Sequence, residues 1–163
     1  MNPIRDLTRS CGEVKTLWNP QSRIALSSRI DRLTPDTPAL WGRMNAEEMV
    51  VHLTRGMRMG LGELETHTRD TILRYWPLKH LFVYWLPFPK AKAKAPRELV
   101  TRGTQVGEWP ASVAELHATL DRFAIREAGS TWPAHPVFGP LTGRAWGALG
   151  WRHFDHHLRQ FGV

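Results

Sequence analysis

Trp151-Arg152-His153-Phe154-Asp155-His156-His157-Leu158-Arg159-Gln160-Phe161-Gly162-Val163 holds three of the eight histidines of a 163-residue chain. An α-helix turns about 100° per residue, so it sets His153 and His157 about 40° apart, on one face and one turn from each other. Leu149, Trp146, Phe161, Phe154, Leu158 and Trp151 fill an apolar arc from about 300° to 140° on the wheel started at Trp146. His153 and His157 fall inside that arc, at about 340° and 20°. Arg144, Asp155, Ala148, Arg159 and Arg152 take the opposite side. His156 lands on the border and is expected to face solvent or a neighbouring loop. Two imidazoles at i and i+4 can grip one metal ion, as in the H-E-x-x-H motif. The plainer alternative is a pair of core histidines satisfied by backbone or carboxylate partners.

Working outward, Thr142 is an N-cap for a last helix over about 142–160. His135-Pro136-Val137-Phe138-Gly139-Pro140 before it is a stiff loop. Trp109-Pro110 opens a helix to about Ala128, with Pro110 in the first turn and Gly129 as C-cap. Its stripe is Val113, Leu116, Leu120, Phe123 and Ile125, with His117 one residue off it. Asn45 with Glu48 has the form of a capping box, and a helix follows to about Leu61. Its stripe is Met49, Val50, Leu53, Met57 and Leu61. His52 lies at the edge of that stripe, and Gly56 shares its face one turn on. A glycine there lets another group approach closely. Glu48 stands one turn before His52 and could also bond a ligand or shuttle a proton. Ile24, Leu26, Ile30 and Leu33 mark a first helix, about 21–33, ended by Thr34-Pro35-Asp36-Thr37-Pro38.

Between the second helix and Trp109 the pattern fades. Arg69 to Tyr75 reads as a helix start cut by Pro77, and Lys79 to Leu86 as a short helix. Residues 87–108 form a long connection, and residues 1–18 an N-terminal arm. His67 and His80 stand without spaced partners. The expectation is a single all-α domain over 1–163, a bundle of four helices with short additional ones.

The formal charge is +7, but its basic residues are spread along the chain. Lys90-Ala91-Lys92-Ala93-Lys94 is the only tight run and reads as a solvated loop, so no nucleic acid is expected. The one cysteine, Cys11, excludes an intrachain disulfide and suits a reducing cytosol. No apolar leader precedes residue 20, and Trp76–Phe88 is too short for a span of about 20 residues. The expected location is the cytoplasm, with no membrane partner; a homodimer is compatible with the chain.

Three neutral imidazoles, His52, His153 and His157, would leave a coordination position open, which is the catalytic arrangement of zinc. Two stretches carry a resemblance to a known family. One is Trp41-Gly42-x-Met44 followed by His52-Leu53. The other is His135-Pro136-x-Phe138-Gly139-x-Leu141-Thr142, then Trp146-Gly147 and His153-x-Asp155-His156-His157-x-Arg159-Gln160-Phe161-Gly162. Together they resemble the DinB/YfiT-like superfamily of metal-dependent proteins, in a branch of unassigned function. The resemblance covers most of residues 18–163 and implies a four-helix bundle with its metal triad on His52, His153 and His157. It also implies zinc, nickel or iron, and for some relatives a transferase or isomerase reaction that uses a low-molecular-weight thiol.

The leading expectation is therefore a metalloenzyme of transferase, isomerase or hydrolase type acting on a small molecule, with Glu48 as a candidate proton carrier. A divalent-metal-binding protein without catalysis is the first alternative. A basic helical nucleic-acid-binding module is the second.

Overall fold

The computed structural model describes residues 14–88, 99, 108–126 and 128–163. Five α-helices appear among them: α1 (Pro20–Ile30), α2 (Ala46–Leu61), α3 (Leu78–Tyr84), α4 (Trp109–Ile125) and α5 (Gly143–Gln160). A 3-10 turn, Ile72–Arg74, precedes α3. No strand occurs among the described residues, only an isolated bridge between His135 and Gly139. The described residues are all-α, as the periodicity predicts. None of the described helices is long and apolar enough to cross a membrane.

The two helices that matter most begin where their caps require. Asn45 Oδ1 accepts from the Glu48 N–H at 2.8 Å, and Glu48 Oε2 accepts from the Asn45 N–H at 3.1 Å. The capping box thus satisfies two of the donors that a helix start leaves bare. Thr142 Oγ1 accepts from the Ala145 N–H at the start of α5. Met49, Val50, Leu53 and Met57 of α2 are all buried in the main core, with Leu116, Leu120 and Phe123 of α4 and Phe154 and Leu158 of α5. α2 packs along α4, and α5 lies against α1 and α2.

Three expectations need correction. α4 ends at Ile125, not near Ala128, because Arg126 is already extended. Its guanidinium turns back to the Leu61 carbonyl at 2.8 Å, so Gly129 is not the cap. Ile125 is exposed, outside the stripe assigned to it, and Ile24, beside the stripe of the first helix, is exposed too. Within residues 14–18, the described part of the N-terminal arm, Leu17 and Trp18 are built into the core: Leu17 is fully buried and Trp18 stacks on Phe123 at 5.2 Å. Most of the 87–108 connection, with the lysine run, and Cys11 lie outside the described residues.

The weakly patterned stretch after α2 has its own core. Val83 of α3 packs with Phe138, Ala145 and Leu149, which are themselves buried, and draws in Leu73, Phe82 and Phe88. α3 therefore lies on α5, on a patch separate from the main core.

The 14–18 segment docks on a bare strip of α5. The Leu17 N–H donates to the Gly147 carbonyl at 3.1 Å, and Trp18 Nε1 donates to the Gly143 carbonyl at 3.0 Å. A Cβ on Gly147 would lie 2.2 Å from Trp18 Nε1 and 2.6 Å from Thr16 Oγ1. Gly147→Ala is expected to destabilise the fold by about 1–3 kcal/mol through overpacking. Gly129→Ala meets nothing within 4 Å and serves as the control, with no loss expected. Urea unfolding of the two variants checks the contrast; equal midpoints would contradict this packing.

Candidate metal centre

His52 comes from the middle of α2, and His153 and His157 from one face of α5. One helical turn fixes the second pair relative to each other. The three ring centroids form a nearly equilateral triangle with sides of 4.9, 4.7 and 4.9 Å. The planes meet at 76°, 72° and 73°, so the rings are arranged like the blades of a propeller. Their ligand nitrogens lie within 4.8 Å of one another, and no other described residue joins the group. Imidazoles held tetrahedrally at a Zn–N distance of about 2.0–2.1 Å would have centroids about 5.2 Å apart. The observed triangle is a few tenths of an ångström tighter.

Two of the rings are oriented by what holds their far nitrogens. The Nδ1–H of His52 donates to the Leu99 carbonyl at 2.8 Å. The Nδ1 of His157 lies 2.8 Å from Gln160 Oε1. Gln160 cannot be reversed there, because its Nε2 donates to the Trp41 carbonyl at 2.7 Å. In both neutral rings the proton is therefore on Nδ1 and the lone pair on Nε2. The Nε2 atoms of His52 and His153 approach to 2.9 Å. That contact is either an N–H donated by His153 or two lone pairs turned toward one cation. The first is a hydrogen bond between the two rings; only the second aims both Nε2 atoms at a shared point. A carbonyl or amide oxygen behind a ligating imidazole is the usual device for fixing its tautomer and raising its basicity.

Two glycines make room for this. A Cβ on Gly56 would lie 3.1 Å from Cε1 and 3.2 Å from Nδ1 of His153. The His153 ring thus rests on bare α2 backbone, the close approach expected at this glycine. A Cβ on Gly42 would sit 2.6 Å from Gln160 Nε2, and its φ of +86° already disfavours a side chain. The Leu40 N–H donates to the Gln160 carbonyl at 2.7 Å, so the 40–42 loop is tied to the end of α5 twice.

Burial holds the rings neutral. It lowers the pKa of His52, against a smaller opposing effect of the Leu99 carbonyl. It lowers that of His157 to about 3, with the neighbouring His52 adding to the shift. His153 keeps a partly exposed edge, yet burial heads the causes that hold it well below its ordinary value, followed by His157 and His52. At neutral pH all three lone pairs are available without loss of a proton.

The other described histidines stay outside this group. His156 contacts Trp41 and Phe88 through ring edges and stays outside the triad. His67 and His80 are not in the group, and His117 turns to Asp31 at 2.9 Å. His135 belongs to its loop, where Nδ1 accepts from the N–H groups of Val137 and Phe138. Glu48 is engaged in the capping box described above. A cleft of about 420 Å³ lies beside the triad, but its lining stops at His156 and Phe88 and contains none of the three ligands. The open position expected from the sequence does not lead into that cleft.

No family model, curated protein or solved structure matches this chain.

His135 gives this region a measurable pH dependence. Burial lowers its pKa to about 3. Between the unfolded value of about 6.5 and the folded one, only the unfolded chain binds the proton. Stability must therefore fall as pH drops through that window, by about 1.4 kcal/mol per pH unit for this group. In His135→Asn the amide oxygen can accept from the same two N–H groups and does not titrate. The variant is expected to lose about one proton's worth of slope between pH 6.5 and 4 in chemical denaturation. An unchanged slope would mean that His135 is protonated in the fold.

Proposed function

We propose that this chain is a metal-dependent enzyme of the DinB/YfiT-like type, with one divalent ion held by His52, His153 and His157. The observation that carries the reading is the propeller of three imidazoles, two with Nδ1 bonded to an oxygen and Nε2 turned inward. His52 Nε2 meets His153 Nε2 at 2.9 Å rather than a carbonyl or carboxylate, and a shared cation would hold the same pair of nitrogens. The donor set is all nitrogen, which suits zinc, nickel, copper or ferrous iron rather than calcium or magnesium. The long helices α1, α2, α4 and α5 fit the four-helix bundle that the sequence motifs imply, with α3 as an added piece.

An ion on three imidazoles supplies Lewis acidity at its remaining positions, toward water, a low-molecular-weight thiol or a substrate oxygen. The chain's own residues supply the rest. His52, His153 and His157 bind. Gln160 and the Leu99 carbonyl orient two of them, and Gly56 lets α5 approach α2. Glu48, one turn before His52, is the candidate proton carrier once released from its cap. A non-catalytic metal-binding role is the second reading. It is favoured by the burial of His52 and His157 and by a cleft lining that includes no ligand.

Metal analysis of untagged protein is expected to find about one ion per chain. His157→Ala should lose it while the helical circular dichroism persists, and His156→Ala should keep it. Gln160→Ala is expected to weaken binding about 10–100-fold, because the His157 ring loses its anchor. Wild type without stoichiometric metal, or His157→Ala binding as well as wild type, would sink the proposal. A small-molecule turnover that depends on the ion and falls in Glu48→Gln favours the enzyme; bound ion with none favours the second reading.

A further inference from the structure

The cleft beside the triad has a chemistry of its own. Trp41, Phe88 and Trp151 line it, so a flat apolar body would find aromatic walls on several sides. His156 lines it too, with its centroid 5.0 Å from that of His157, and Phe88 lies 6.3 Å from His153. The cleft and the triad therefore share a wall.

Its charge is unbalanced. Lys15, Arg152 and Arg159 border the cleft, and Asp155 is the single acid among them. Asp155 is already committed: Oδ1 meets Arg29 at 2.8 Å and Oδ2 meets Arg159 at 3.0 Å. Lys15 and Arg152 form no ion pair among the described residues. The Lys15 ammonium instead lies 5.0 Å over the Trp151 ring.

Arg152 is the more telling of the two. Its Nη2 donates to the Leu86 carbonyl, and its guanidinium lies 5.5 Å over the Phe88 ring. These contacts hold the group in place at the edge of the cleft. Its Nη1 is buried and has no acceptor among the described residues. Buried guanidinium donors are costly to leave unmatched, and a planar fork is the favoured partner of a carboxylate.

We propose that this cleft binds a small aromatic acid, its carboxylate met by the Arg152 guanidinium at the cleft edge and its ring against Trp41, Phe88 and Trp151. Lys15 adds long-range attraction from the rim. The site contains none of the three triad ligands, so its occupation does not depend on the metal reading.

The test uses 2-naphthoate and its uncharged counterpart 2-naphthamide, titrated calorimetrically into the full-length protein. Naphthoate is expected to bind saturably at one site, and naphthamide about ten-fold or more weakly. Arg152→Gln should weaken naphthoate about ten-fold and erase the preference over naphthamide, with metal content unchanged. On wild-type protein, naphthoate should slow phenylglyoxal modification of Arg152, followed by peptide mapping. This measurement does not depend on a variant that folds. Equal binding of the two probes, or no protection of Arg152, overturns the proposal. If metal is absent but naphthoate binds selectively, the metal reading fails and this one stands.

Discussion

The contact between the His153 ring and the bare backbone at Gly56 sets how closely α5 can approach α2. Helix axes usually run about 8–10 Å apart, with side chains filling the space between. Removing the side chain at Gly56 lets an imidazole fill it instead. His52, one turn earlier on α2, then meets both histidines of α5. A Cβ at this position would lie 3.1–3.2 Å from the ring, which would then have to give by a few tenths of an ångström.

Much of this was legible because the two bearing helices are governed by local rules. Asn45 with Glu48, and Thr142, are strong start signals, and both caps form. The i, i+4 spacing selects His153 and His157 over His156 by helix geometry alone. Other features left fainter signals. Gln160 sits three residues after His157, on the same side of α5, and could have been suspected as its partner. The Leu99 carbonyl could not, because every residue carries one. Leu17 and Trp18 were opaque for a related reason: two residues have no period, and their place depends on glycines more than 120 positions away. α3 was readable as a short helix, but not the second core that holds it, since its partners lie on another element.

The polar interior is arranged to avoid charge. His52, His135, His153 and His157 are all pushed toward the neutral form, chiefly by burial. Their hydrogen bonds go to carbonyls, an amide and backbone N–H groups, which suit a neutral ring. Charge is kept to the rim, where Arg29, Asp155 and Arg159 form a connected set. The α5 sequence alternates these two regimes within a few residues, and the helix turns one inward and the other outward.

The pairing of the 14–18 segment with α5 has a consequence for the order of assembly. Ribosomal synthesis makes Leu17 and Trp18 long before Gly143 and Gly147, on which they rest. His52 likewise waits for a partner 101 residues downstream. Until α5 emerges, Leu17, Trp18 and the inner face of α2 have lost a main covering surface. Apolar side chains exposed for that interval are a hazard for association with other nascent chains. The early part of this protein can therefore hold only partial structure during translation, and α5 acts as the closing piece.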